Sequence, residues 1–129
     1  MAENANAKSV RTYRDLMAWQ KAMTLAELLY KVTASFPPDE RFGLISQLRR
    51  AGVSIPSNIA EGYGRARTQE YCRYLEMSRG SLFELQTQAE LARRLGWLQG
   101  KDLKSLRESM RELDAVLDGL IRSIRRLAK

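Results

Sequence analysis

Histidine does not occur in this 129-residue chain. Its absence removes Ser-His and Cys-His activation of a nucleophile and all imidazole ligation of metals. The single cysteine, Cys72, excludes an internal disulfide and fits a reducing compartment. Proline falls at two places, Pro37-Pro38 and Pro56, and the good helix formers Ala, Leu, Arg, Glu, Gln and Met dominate. No run of about 18 apolar residues exists, which excludes a membrane-spanning helix. Residues 1–9 are small and polar, with no secretory core, so a cytoplasmic address is expected. The acidic residues are scattered, and most lie near an Arg or Lys. No catalytic constellation stands out, and the chain reads as a non-enzyme with no cofactor and no metal site.

What the chain has is charge and helical periodicity. The net charge is +7, from 22 Lys and Arg against 15 Asp and Glu. By segment it is +2 over 1–35, +2 over 36–67, zero over 68–99 and +3 over 100–129. Such an excess permits a polyanionic partner, and it equally suits a surface kept soluble by charge.

The spacing divides the chain into a disordered tail over 1–11 and one domain over 12–127. Helices are expected at about 14–35, 40–62, 68–95 and 101–127, the first capped by Thr12 and the third by Thr68. Short connections favour an all-α, antiparallel, up-down-up-down four-helix bundle. The first helix carries two adjacent apolar stripes, one through Trp19 and Met23 and one through Leu25 and Leu29. That is more apolar width than one neighbour needs, and it suggests a subunit interface. Pro56 lies inside the second helix, which is expected to continue with a kink because residue 52, four positions back, is glycine. The fourth helix has the cleanest stripe, from Leu103 through Leu106, Met110, Leu113, Leu117, Leu120 and Ile124 to Leu127.

The second helix also bears a polar stripe of Gln47, Ala51, Ser54, Asn58 and Glu61. Folding it against the third helix about Arg65 brings Arg50 opposite Gly80, Ser54 opposite Glu76 and Asn58 opposite Cys72. Gly80 then permits a close approach to Ala51 and Gly52, and Glu84 comes within reach of Arg50 and Gln47. Two readings follow for Gln47, Arg50, Ser54, Asn58, Glu61, Ser81 and Glu84: an interhelical polar network that fixes register, or the lining of a binding groove. A metal or small-molecule site at the Asn58, Glu61 and Glu84 level is a minor alternative, restricted to oxygen-ligated ions. Gly62-Tyr63-Gly64 is no phosphate loop, because it follows a helix and lacks the Gly-Lys-Ser/Thr ending. Arg65 and Arg67 beside Tyr63, and Arg122, Arg125, Arg126 and Lys129 at the C-terminus, are the candidate nucleic-acid contacts. A solvated basic turn and complementation of the helix dipole are the competing explanations.

The run Gln47 to Gly62, QLRRAGVSIPSNIAEG, closely resembles the signature of the "four helix bundle protein" family, encoded by intervening sequences within bacterial 23S rRNA genes. Trp19-Gln20-Lys21-Ala22, Phe36-Pro37 with Glu40, and Arg79-Gly80-Ser81-Leu82-Phe83-Glu84-Leu85 resemble the flanking motifs, so the resemblance covers about residues 12–125. It implies an antiparallel bundle that assembles into a ring, typically a homopentamer. It also implies a distant likeness to the accessory variability proteins of diversity-generating retroelements, basic pentamers that bind a reverse transcriptase and nucleic acid. Gly52 departs from the pattern, where alanine or another small residue is more usual. The expectation is therefore a homo-oligomeric module that binds RNA or DNA, RNA favoured, through basic surface. The alternative is a scaffold for a protein partner such as a polymerase.

Overall fold

The computed structural model describes residues 9–128 and is all-α. Its four long helices are α1 (Met17–Thr33), α2 (Leu44–Tyr63), α3 (Thr68–Arg94) and α4 (Gly100–Ala128). Each packs on its neighbours in the chain, and α4 closes the circuit against α1. Partner residues run in opposite order along adjacent helices: Glu76 meets Arg125 while Glu90 faces Arg107. The result is the antiparallel bundle that the short connections predict.

The expected first helix starts later than its periodicity implies. Thr12 does cap, but it caps a 3₁₀ turn, Tyr13–Asp15, through a reciprocal box with the Asp15 carboxylate. Leu16 is extended, and α1 begins at Met17. Most of the expected tail lies outside the described residues. At its end Val10 packs on the core and the Arg11 N–H donates to Asp15 at 2.9 Å. Pro38–Glu40 forms a second 3₁₀ turn, so α2 starts at Leu44, whose N–H is capped by Glu40 Oε1 at 3.0 Å.

The heptad stripes meet inside. Leu25, Leu29, Leu48, Ile55, Ile59, Leu75, Leu82, Leu85, Leu113 and Leu117 are fully buried, each worth about 1.5–3 kcal/mol of transfer free energy. Leu127, the last residue of the predicted α4 stripe, is exposed instead, while Ile121 joins the core. α2 runs unbroken through the buried Pro56. Gly52 faces α1, where Leu29 fills the space a side chain would take, and nothing lies within 4 Å of a Cβ at Gly80. The close approach expected between Gly80 and Gly52 is therefore absent.

The pairing of α2 with α3 is also displaced from the expected register. Ser54 Oγ meets Ser81 Oγ at 2.9 Å, and Ser78 Oγ donates to the Ile55 carbonyl at 2.8 Å. The cause lies at the turn. Arg67, in an extended conformation, is the cap position, and Thr68 is the first residue of α3. Gly62 accommodates Tyr71 and Tyr74 against the last turn of α2, with Tyr74 Cβ 2.5 Å from where a Cβ would stand. At the far end α3 stops on Gly96 (φ +82°). There the Trp97 N–H bonds to the Ala92 carbonyl and the Gly96 N–H to the Arg93 carbonyl, both at 3.0 Å.

Candidate functional site

Three consecutive turns of α2, with the chain that leads into it, build a basic face. Arg41 precedes the helix, Arg49 and Arg50 lie on its second turn, and all three residues line the groove between α1 and α2. That groove widens into a concavity of about 640 Å³, whose wall also includes Tyr30, Phe42, Ile45 and Val53 and contains no carboxylate. Arg49 is held in place: its Nε–H donates to Thr33 Oγ1 at 2.9 Å and Nη2 to the Tyr30 carbonyl at 3.3 Å. Its guanidinium carbon sits 4.4 Å from the centroid of the Tyr30 ring. Arg41 stacks similarly over Phe42 at 5.0 Å, and Phe42 is 87% exposed. Each contact of this type is worth about 0.5–1 kcal/mol at an exposed site and leaves the guanidinium charge unneutralised.

The same groove continues toward the other end of α1 as an apolar concavity of about 300 Å³, formed by Tyr13, Trp19, Met23, Val53, Pro56 and Ala60. Val53 belongs to both halves. The surplus apolar width read from the first helix is real surface here, with Met23 and Tyr30 exposed.

On the opposite side of α2, the α2–α3 groove holds a polar concavity of about 470 Å³, lined by Gln47, Arg50, Ala51, Ser54, Glu84 and Gln88. Arg50 and Glu84 share this wall, as their expected proximity implied. Among the described residues, no ion pair joins them. Gln88 Oε1 is buried without a hydrogen-bond partner.

The polar residues singled out from the sequence thus separate into three groups. Ser54, Ser81 and Asn58 are joined directly, the Asn58 amide donating to the Ser54 carbonyl at 2.9 Å and to Ser54 Oγ at 3.0 Å. Glu61 belongs elsewhere: it accepts from Arg65 at 2.8 Å and from the Tyr74 hydroxyl at 3.2 Å. Gln47, Arg50 and Glu84 wall the polar groove. Asn58, Glu61 and Glu84 do not converge, and among the described residues no three Asp, Glu or Cys side chains are arranged to hold a metal.

The topology brings Arg65, Arg67, Arg122, Arg125 and Arg126 to one end of the bundle, opposite the Arg41 face, but most are already engaged. Arg65 is bound by Glu61 and lies over the Tyr74 ring at 4.8 Å. Arg122 pairs with Asp118 at 3.2 Å, and Arg126 reaches Ser123 Oγ at 3.5 Å. Arg125 forms a short ion pair with Glu76, which also raises the pKa of its guanidinium further. Arg67 has no ion pair among the described residues, and Lys129 lies outside them. Cys72, beside this cluster, is a buried free thiol: burial pushes its pKa up and the Glu76 carboxylate adds to the effect.

The sequence of residues 14–119 matches the model of a family described as 23S rRNA-intervening sequence protein. The chain belongs to the 23S rRNA-intervening sequence protein family. Among solved structures, it is similar to a protein of unknown function from the S23 ribosomal protein family of Bacteroides thetaiotaomicron, with a TM-score of 0.73 and 19% identity. The match spans 81% of this chain and 95% of that one, and at this identity it speaks to the fold alone. No curated protein matches the chain. Membership in the 23S rRNA-intervening sequence protein family agrees with the resemblance read from Gln47 to Gly62, and that stretch of α2 lines all three concavities.

Sequence reasoning missed Arg41, Arg49, Tyr30 and Phe42 as functional candidates. Arg41-Phe42 and Arg49-Arg50 are visible as basic pairs with an aromatic neighbour. What could not be seen is that, among the described residues, no acidic side chain forms an ion pair with these arginines. Among the described residues no helix is long and apolar enough to cross a membrane.

Proposed function

We propose that this chain is a non-enzymatic, self-associating helical bundle that binds RNA through Arg41, Arg49 and Arg50 and the rings of Tyr30 and Phe42. One observation carries the reading: three guanidinium groups and two aromatic rings surround a concavity of about 640 Å³ with no carboxylate in its wall. Phosphates supply the missing counter-charge, and their neutralisation releases condensed cations. The exposed face of Phe42 offers a platform for an unpaired base, an interaction worth about 1–3 kcal/mol per stacked base. Unpaired, splayed bases are commonest in RNA loops and single strands, which favours RNA over duplex DNA.

Self-association suits the apolar half of the same groove, where Trp19, Met23, Val53 and Pro56 form a surface of the kind that a second copy covers. A ring, the pentamer that the family resemblance implies, repeats the basic concavity and multiplies phosphate contacts along one strand. The free thiol of Cys72 is compatible with the cytoplasm as the setting.

The exposure of Phe42 favours a second reading, a protein partner, since Arg and aromatic side chains are enriched at interface hot spots. A stoichiometric protein retained after nuclease treatment supports that reading. The deciding experiment is fluorescence anisotropy with single-stranded RNA across a range of salt. Binding is expected to weaken linearly in log–log coordinates, and Arg41→Ala to reduce the slope by about one. No binding at the lowest salt, or a slope untouched by Arg41→Ala and Arg50→Ala together, overturns the proposal.

A further inference from the structure

The polar groove between α2 and α3 remains unexplained by phosphate binding. Arg50 and Glu84 face one concavity, yet they form no ion pair with each other. Beside them Gln88 Oε1 is a buried acceptor with no donor. Leaving such a group unsatisfied costs about 1–3 kcal/mol. The wall therefore presents a forked donor on one side and acceptors on the other.

Among the nucleobases, guanine matches both sides at once. Its Watson–Crick edge donates through N1–H and the N2 amino group, the pair that a carboxylate accepts. Its other edge accepts at O6 and N7, the pair that a guanidinium donates to. Adenine and cytosine carry a single amino donor group beside acceptors, and uracil has one N–H between two carbonyls. None offers two adjacent N–H donor positions to Glu84 and an acceptor pair to Arg50. Bound ligands usually occupy concavities of about 300–1,000 Å³, and this one, at about 470 Å³, has room for a purine ring.

We propose that this groove is a guanine-selective subsite, in which Glu84 accepts from N1–H and N2–H and Arg50 donates to O6 and N7. The inference rests on the RNA-binding reading for its natural ligand, a guanosine in an unpaired strand. Arg50 and Ser54 line both concavities, so a strand whose phosphates lie on the Arg41 face has one base within reach of the groove across α2. Only an unpaired guanine fits, since base pairing occupies the edge that Glu84 reads.

The test uses the full chain and two kinds of probe. Anisotropy is measured with an adenosine heptamer, with the same heptamer carrying one central guanosine, and with inosine or 7-deazaguanosine at that position. Guanosine is expected to tighten binding about tenfold over adenosine, within the range of discrimination a bidentate pair provides. Inosine, which lacks the N2 amino group, and 7-deazaguanosine, which lacks N7, each lose part of that gain. Glu84→Gln is expected to bring the guanosine-to-adenosine ratio within about twofold, without unfolding the bundle. The ratio is the readout, because removing an acidic charge raises affinity for every strand. A second arm titrates free GMP and AMP by NMR, which reports on the groove whether or not RNA binds. Equal affinity for all heptamers with salt-dependent binding intact overturns the guanine subsite and leaves the RNA reading standing. Selective binding of GMP with no binding of any heptamer supports the subsite and overturns the RNA reading. No selectivity in either arm overturns the subsite.

Discussion

The Arg49 guanidinium carbon lies over the Tyr30 ring, 4.4 Å from its centroid, and its Nε–H donates to Thr33 Oγ1 at 2.9 Å. Two tethers from α1 thus hold a charge of α2 at the mouth of the basic concavity. An arginine already ordered loses little further entropy when a phosphate arrives.

Replacing Arg49 tests that arrangement. Arg49→Ala is expected to weaken binding to single-stranded RNA about tenfold. Arg49→Lys restores only part of the loss, because an ammonium group reproduces the charge but not the planar fork stacked on Tyr30. Anisotropy at one fixed salt concentration measures both. Equal affinities for the lysine variant and the unaltered protein would show that charge alone matters.

Val53 joins the basic and apolar halves of the α1–α2 groove and is partly exposed. If the proposed self-association uses this groove, Val53→Glu is expected to yield monomers while the helical content stays unchanged. A buried carboxylate without a partner is costly at an interface and nearly free in water. Native mass spectrometry and far-UV circular dichroism read the two effects separately, and an assembly that survives the change moves the interface elsewhere.

Gly62 and Gly80 are both helical glycines, and they are expected to respond in opposite directions. A Cβ at Gly62 meets Tyr74 Cβ at 2.5 Å and both the ring and the carbonyl of Tyr71 at 3.3 Å. Gly62→Ala therefore destabilises by about 1–3 kcal/mol despite a better helix propensity. Gly80 has nothing within 4 Å, so Gly80→Ala stabilises by about 0.5–1 kcal/mol. Urea unfolding of the two variants decides the sign of each.

Glu90 is expected to make stability depend on pH in the acid range. Hydrogen bonds from Arg93 and Arg94 hold the Glu90 carboxyl down from its ordinary 4.5 to about 2. A lowered carboxylate pKa means that the folded protein releases this proton more readily than the unfolded chain. The stability it contributes is complete above about pH 4.5 and fades as pH falls toward 2. Glu90→Gln is expected to lower the thermal midpoint slightly near neutrality, to leave it unchanged near pH 2, and so to flatten its pH dependence across that window. An identical acid profile for the variant would assign the loss to other carboxylates, of which Asp15, lowered by the Arg11 and Thr12 amides, is the next candidate.

The α4 stripe from Leu106 to Ile124 and the α2 stripe through Leu48, Ile55 and Ile59 were legible because burial on one face imposes a helical period directly on residue type. The late start of α1 was not. Residues 13–16 continue the apolar spacing, but the Thr12–Asp15 box closes a 3₁₀ turn and Leu16 leaves it extended. The register between α2 and α3 escaped for a similar reason. Counting outward from Arg65 places Ser54 opposite Glu76, whereas the packing of Tyr71 and Tyr74 against Gly62 brings it to Ser81.

The amino-acid sequence by itself determined four amphipathic helices, their antiparallel order and an unbroken path through Pro56, because each depends on local spacing and short connections. Only the tertiary structure decided which arginines keep an uncompensated charge. Arg122 and Arg125 look freest in the sequence, yet Asp118 and Glu76 fold against them. Arg41 and Arg49 look ordinary, yet they line an α1–α2 concavity whose wall carries aromatic rings and no carboxylate. Charge is written residue by residue, but its neutralisation depends on distance across helices, and that distance exists only once the bundle has closed.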